Sequence, residues 1–475
     1  MQARKADISL YIKNNKIQRT DPMAEIIEQA RNIPIIDDVD ICVLGGSATG
    51  VSAAVRAARL GAKVAIVEQL NCFGGCATAG MVCIWHSLYD TTFKRQIIGG
   101  MTAEILERLK RRPYALDVEP HDPDKPFRMA SIMNYRLNTE ELKIELDELI
   151  TEAGIRPYLH TFYAAPYVED GELKAVFVEN KSGRGAIKAR FFIDATADGD
   201  LCVHLGLPSY KHDELQPATT SSRVYRWDDV ADANKILLEH TEEMGYSNIG
   251  WNTYIPGAPE VSFLAKTNVN CDCSDANELT KAEIEGRRQM RSLMDVLRKY
   301  AKNGDKPVLL ALSSRIGARE TRQVGCRYKL TFEDIVYGKR FSDAIANCAY
   351  PPDIHHAGAG ATYWYLDGVK EFTTHTGRPN EFTRWREKTD QDPTFWQIPY
   401  GSLVPGKYDN VLVCGRAVDA DKGAFAAIRV MVSMNQTGEA AGVAAYEALT
   451  GGKGVGEIDT AVLRAKLKQG GSIVF

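Results

Sequence analysis

The stretch that decides the fold is residues 39–69, VDICVLGGSATGVSAAVRAARLGAKVAIVEQ. The apolar run Ile41–Leu44 leads straight into Gly45-Gly46-Ser47-Ala48-Thr49-Gly50. A helix rich in small residues follows, then a second apolar run, Val64–Val67, that ends on Glu68. Strand, glycine turn, helix, strand and acid in about 30 residues is the layout of a dinucleotide-binding βαβ unit. Glycines let the backbone turn tightly beside a pyrophosphate, and the helix N-terminus offers it free N–H groups and a positive dipole end. An acid about 20 residues beyond the turn can accept hydrogen bonds from a ribose. The middle glycine of G-x-G-x-x-G is replaced by Ser47, a small side chain that crowds the pyrophosphate without excluding it.

Working outward, 475 residues exceed one ordinary core and predict two or three compact units. A charged fraction of 25% beside a hydrophobic fraction of 44% describes an ordinary water-soluble protein. The net charge of −4 argues against nucleic acid as a partner. No apolar run approaches the ~18–20 residues of a membrane span, and the N-terminal segment lacks the apolar core of a secretory signal. The ten cysteines show no paired framework. A cytoplasmic location with reduced, mostly buried thiols is therefore expected.

Residues 1–34 read as an arm, with a short helix opened by Asp21-Pro22, that packs on the body or on a partner subunit. Residues 35–205 and 397–475 read as two parts of one α/β domain. Between them, residues 206–396 hold five of the six tryptophans, irregular Pro/Gly stretches and one long helix near 275–302, and read as an inserted α+β substrate or cap domain. Helices are expected at 100–112 and 138–153, the latter opened by Asn138 or Thr139. Strands are expected at Tyr158–Val168, Leu173–Glu179 and Ala186–Ile193, joined by Asp170-Gly171 and Ser182-Gly183 turns. Val411–Cys414 should form a further strand. The late GGKGVG, 451–456, comes after a helix rather than a strand and reads as a helix-ending linker rather than a phosphate loop.

Five separated segments carry a family resemblance: IPIIDDVDICVLGGSATG, GGCATAGMV, FFIDATADGDL, the run from Ser314 to His355, and the run from Gln397 to Gly442. Together they resemble the FAD-dependent oxidoreductases of the glutathione-reductase-like flavoproteins, near fumarate reductase flavoproteins and the flavoprotein subunit of heterodisulfide reductase. The resemblance implies an FAD-binding doubly wound parallel sheet with a β-meander, plus the inserted domain. Gly45, Gly46, Ser47, Ala48, Thr49 and Gly50 would bind the FAD pyrophosphate, and Glu68 the ribose, with Gln69 beside it. Gly74, Gly75, Cys76 and Ala77 would follow the ribityl chain to the isoalloxazine. Tyr163 would touch adenine through its backbone. Ala195 and Thr196 would close over the pyrophosphate, which Gly415 and Arg416 would approach from the C-terminal strand. The sequence departs from the family at Ala197, where the family has a second glycine.

A helix beginning at Val430 and Met431 would aim free N–H groups and its positive dipole end at the flavin. Arg315, Arg319 and Arg322 share one face if helical, although a strand is equally compatible. Guanidiniums there suit an anionic substrate, and a salt-bridged scaffold with Glu320 and Asp343 is the alternative. His355 can move the proton that accompanies hydride transfer, Arg429 can hydrogen-bond flavin or substrate, and His86 is a lesser candidate. The pairs Cys72/Cys76 and Cys271/Cys273 lack the companions a metal site needs. Cys72 and Cys76, spaced C-x3-C, could alternatively be a redox pair, or Cys76 alone could face or attach to the flavin. The expected activity is hydride transfer between flavin N5 and a small, anionic organic substrate, with a homo-oligomer or a protein redox partner as open possibilities. An electron-transfer flavoprotein subunit that docks a protein partner is the alternative function.

Overall fold

The computed structural model describes residues 26–122, 124–247, 250–358, 360–374 and 379–475. The chain divides into two units, 1–34 and 35–475. The helix expected from Asp21 begins outside the described residues, and residues 26–34 contain neither helix nor strand.

The larger unit is built on a seven-stranded sheet. Its first strand, Ile35–Leu44, is flanked in parallel by Val64–Val67 and by the long strand Gly183–Asp194. Arg156–Tyr158 extends the sheet beyond Val64–Val67, again in parallel. Val64–Val67 is buried at all four positions, the continuous apolar run that a strand covered on both faces requires. The long strand has two partners on its other edge. Its first half pairs antiparallel with Glu172–Asn180, the middle of a meander completed by Phe162–Glu169. Its second half pairs in parallel with Val411–Val413, so residues far apart in sequence complete one sheet.

The helix Ala48–Arg59 crosses the sheet and packs against the C-terminal helix Met431–Gly451. Small residues make the approach possible: a Cβ on Gly438 would meet the Thr49 carbonyl oxygen at 2.0 Å, and one on Gly442 the Ala53 oxygen at 2.1 Å. Arg56 Nε reaches the buried Glu439 carboxylate at 2.9 Å across the same interface.

Residues 206–396 supply antiparallel sheets. One, in the order 251–255, 258–265, 222–225 and 308–312, is backed by the long helix Ala276–Tyr300 through Val224, Leu264, Met290, Leu293 and Leu297. A second four-stranded sheet comprises Asp353–His355, Ala361–Trp364, Val369–Thr373 and Glu381–Arg384. Among the described residues no helix is long and apolar enough to cross a membrane.

The expected helices form at Gly100–Lys110 and Thr139–Glu152, the second capped by the Asn138 side chain, which accepts from Glu140 N at 3.1 Å. The long helix is capped by Asp275, and Gly452 closes the C-terminal helix with φ +61°, as a linker would. The strand expected over Tyr158–Val168 is two strands. Its backbone bonds cross to another segment at the break: Glu68 N donates to Tyr158 O, His160 N to Leu70 O and Thr161 N to Glu68 O. Arg315, Arg319 and Arg322 lie on neither a helix nor a strand but on an irregular segment that ends at the short strand Gln323–Val324.

Candidate active site

The parallel strands Ile35–Leu44, Val64–Val67, Gly183–Asp194 and Val411–Val413 end on one side of the sheet. The loops that leave them open onto a cavity of about 690 Å³. Ligands in doubly wound folds bind at such carboxyl ends.

Gly45, Ser47, Ala48 and Thr49 line the cavity after the first strand, and Glu68 and Gln69 after the second. Gly45 has φ +101°, and a Cβ there would lie 2.2 Å from the Ala195 carbonyl oxygen, so this turn admits only glycine. Ser47 is tolerated for a local reason. Its backbone is extended, with φ −61° and ψ 170°, and its hydroxyl caps the helix by accepting from Gly50 N at 3.4 Å. Among the described residues the amides of Ala48 and Thr49 have no acceptor. Gly46, Gly50 and Ala77 do not line the cavity. Gly46 N donates to Glu68 Oε2 at 2.7 Å, Gly50 lets the helix pass over the Gly45 carbonyl, and Ala77 is buried. Glu68 Oε1 also accepts from Leu70 N at 2.9 Å. Burial raises the Glu68 pKa against these hydrogen bonds. The carboxylate thus ties the two strand ends together as well as facing the cavity.

Ala195, Thr196, Gly415, Arg416 and Tyr163 complete this end of the cavity. Arg416 Nη2 donates to Asp198 Oδ1 at 2.8 Å. Ala197 also lines the cavity and holds φ +71°, a left-handed backbone at the position where a glycine was expected. Gly74, Gly75 and Cys76 continue the lining. Cys72 points elsewhere, with its thiol 3.8 Å from Thr78 Oγ1, and all ten cysteines are free.

At the far end, Val430, Met431 and Asn435 face the cavity from the C-terminal helix. Val430 caps that helix without a side-chain bond, and among the described residues the amides of Met431 and Val432 have no acceptor. Asn435 is 1% exposed, yet among the described residues neither its Oδ1 nor its Nδ2 has a partner. A buried amide left open on both sides marks a place for a polar ligand. Its neighbour Gln436 is satisfied internally by Asn347. Sequence reasoning missed Asn435, which stands among the other polar residues Ser433, Gln436, Thr437 and Glu439 with nothing local to single it out.

His355, Arg319 and Arg429 meet in the same cavity, joined by Asp353, Tyr350 and His86. Asp353 is the hub. Its Oδ2 accepts from Arg429 at 2.8 Å and from the Tyr350 hydroxyl at 2.7 Å, and its Oδ1 lies 3.3 Å from His355 Nε2. Burial opposes ionisation of Asp353, but these neighbours outweigh it and hold its carboxyl far below the usual range. Burial pushes His355 down to about 4, against the pull of Asp353, so the imidazole is neutral at neutral pH. The charge that steadies Asp353 there is therefore the Arg429 guanidinium. His86 is likewise pushed down to about 4 by burial.

Arg319 stands apart. Its Nη1 donates to the Pro217 carbonyl at 2.5 Å and to Thr219 Oγ1 at 2.7 Å, both neutral acceptors. The other arginines of the cavity face carboxylates: Arg128 with Asp367, Arg315 and Arg416 with Asp198, and Arg429 with Asp353. Among the described residues Arg319 makes no ion pair. Burial pushes its pKa down to about 10, which leaves it charged. Neither partner named in the scaffold alternative serves it, because Glu320 bonds to His212 and Gln216, while Asp343 meets Tyr400 and Gly401 backbone.

The glycine cradle that a Cβ would fill, the open amides at two helix starts and the unpartnered Asn435 amide fit a bound dinucleotide. No curated protein matches the chain by sequence. Among solved structures, the chain is similar to a geranylgeranyl bacteriochlorophyll reductase-like protein from Thermoplasma acidophilum, at 12% identity over 91% of this chain and 83% of that one, with a TM-score of 0.44. It is similar to a flavoprotein/dehydrogenase from Cytophaga hutchinsonii, at 14% identity over 87% and 79%, TM-score 0.42. It is also similar to L-proline dehydrogenase from P. horikoshii, at 10% identity over 92% and 99%, TM-score 0.41. The sequence profile of the family described as FAD dependent oxidoreductase matches residues 40–467. The chain belongs to that family and is an oxidoreductase that uses FAD.

Proposed function

We propose that this enzyme transfers a hydride between FAD and a small organic anion held by Arg319. The nucleotide end of FAD is assigned to the loops around Gly45–Thr49, Glu68, Ala195 and Gly415, and the flavin end to the Cys76, Val430 and Asn435 region. Residues 206–396 serve as the substrate domain. Bound FAD supplies a group that accepts or returns a hydride at N5 of its isoalloxazine. The open amides of Met431 and Val432 favour negative charge beside them.

The observation that carries the anionic substrate is the unpaired Arg319 guanidinium in a cavity shared with His355 and Asp353. A buried cation without a counter-ion is costly, and a substrate carboxylate would satisfy it with a two-point fork. His355 lies in the same cavity, with its Nε2 3.3 Å from Asp353 Oδ1. A neutral imidazole there takes the proton released when a C–H, O–H or N–H substrate is oxidised.

The test is titration of the FAD-loaded protein with acetate, malonate and succinate, and with neutral alcohols and amides of similar size, following the flavin absorbance. Carboxylates should perturb the spectrum saturably, and Arg319→Met should weaken that binding by about 10-fold or more. Equal responses to neutral and anionic probes, or an unchanged affinity in Arg319→Met, would overturn the anionic reading.

A further inference from the structure

Cys271 and Cys273 belong to no part of the FAD site, yet among the described residues they are the two thiols that touch. They lie in the loop between the strand Ala258–Ala265 and the helix Ala276–Tyr300, with their sulfurs 3.4 Å apart. Asp272 holds the loop in place. Its Oδ1 accepts from Ser274 N at 2.9 Å and from Ser274 Oγ at 2.6 Å, its Oδ2 pairs with Lys211, and its own N–H donates to Glu278 at 2.8 Å. With the intervening residue anchored outward, side chains two apart fall on one side.

Cys271 is half-buried and reachable from solvent, whereas Cys273 is 4% exposed and packs with Ala218, Ala282 and Ile316. The S–H of Cys271 holds the Cys273 thiol below its ordinary pKa against burial, with help from Arg416 and Arg315, and Cys271 is raised in return. Among the described residues no third metal-ligating side chain joins them.

We propose that Cys271 and Cys273 form a dithiol–disulfide redox site that is oxidised by small disulfides. A disulfide requires the sulfurs to close to about 2.0 Å, a movement of roughly 1.4 Å that side-chain rotation within the loop can supply. In the first step Cys271 releases its proton to water and attacks one sulfur of the external disulfide. A mixed disulfide forms, and one small thiolate leaves and takes a proton from water. In the second step Cys273 releases its proton to water and attacks the Cys271 sulfur, expelling the second thiolate, which also takes a proton from water. The two cysteines lose two electrons and two protons, and the external disulfide is reduced to two thiols. Ile316, which packs in the Cys273 cluster, also lines the cavity.

The experiment uses full-length FAD-loaded protein and glutathione disulfide. After incubation the protein is denatured, alkylated, digested and mapped by mass. The peptide carrying both cysteines should be unalkylated, two hydrogens lighter than the dithiol, and restored by dithiothreitol. Cys273→Ser should instead accumulate one glutathione on Cys271, because the resolving thiol is gone. Should that variant fail to bind FAD, the wild-type map still decides the matter. Recovery of both wild-type cysteines alkylated, or stable glutathione on wild-type Cys271, would overturn the proposal.

Discussion

Arg429 clasps Asp353 twice: its Nη2 lies 2.8 Å from the carboxylate Oδ2 and 3.1 Å from the backbone oxygen of the same residue. The pair joins the turn leading into the C-terminal helix to the strand Asp353–His355, and so ties together two walls of the cavity. Asp353→Asn would leave a buried guanidinium without its counter-ion, a loss of about 3 kcal/mol. Urea denaturation of the FAD-loaded variant should show that loss. Rapid-reaction kinetics should show a flavin reduction or reoxidation rate at least about 100-fold lower. Unchanged stability would mean that Arg429 finds another acceptor.

Acid should weaken the protein through its buried imidazoles. His86 and His355 are pushed to about 4 in the folded chain, against an ordinary value of 6.5. Between those values the unfolded chain binds more protons, so stability is full above about pH 6.5 and is lost as pH falls through 4. Each ring contributes on the order of 1–3 kcal/mol to that loss, less where the open cavity admits water. Melting temperatures from pH 7.5 to 4 should fall more steeply in the wild type than in His86→Gln.

His355 gives the pH profile of the chemistry the same sign. The rate of flavin reduction by an oxidisable substrate should be level above about pH 6 and fall as the pH drops through 4, where protonation removes the acceptor nitrogen. Stopped-flow reduction at saturating substrate would check this, and a level profile down to pH 4 would remove His355 from the role.

Ala197 carries a left-handed backbone, φ +71°, that costs a residue with a Cβ about 1–2 kcal/mol. Ala197→Gly relieves this but gives the unfolded chain more freedom, about 0.4–1 kcal/mol. The net should be a gain of up to about 1 kcal/mol in chemical denaturation, with FAD still bound. A destabilised variant would show that the alanine methyl makes contacts worth more than the strain.

Gly442→Val should be among the most damaging single changes. Its Cβ would sit 2.1 Å from the Ala53 carbonyl, which belongs to the backbone of the opposing helix and cannot rotate away. The helices would have to part, at about 3 kcal/mol or more, and FAD retention after gel filtration should fall with it.

The nucleotide end of the site was legible because its requirements are local. A buried strand needs a run such as Val64–Val67, Gly45 needs its positive φ, and Ser47 can cap the helix that starts beside it; all of this is visible within a few residues. The chemistry at the other end was not, because it depends on pairing across long separations. Arg315, Arg319 and Arg322 look alike in sequence, and only the distant Asp198 and Asp200 take two of them and leave Arg319 unpaired. Asp353 gives no signal beside His355 because its partner, Arg429, lies far along the chain. Asn435 and Gln436 are adjacent amides, yet one is satisfied by Asn347 and the other is open.

The double partnership of the strand Gly183–Asp194 bears on how the protein is made. Its meander edge can pair as soon as that strand leaves the ribosome, but its other edge waits for Val411–Val413, and the helix Ala48–Arg59 waits for Gly438 and Gly442. A nascent chain of some 400 residues therefore carries a nucleotide loop whose supporting wall has not been synthesised. FAD capture becomes a late event, and chains halted before residue 411 should expose the apolar faces of that helix and sheet to protease and to chaperones. Limited proteolysis of a chain ending at residue 406, with and without FAD, reads this directly: protection by FAD in that fragment would show that the wall is dispensable.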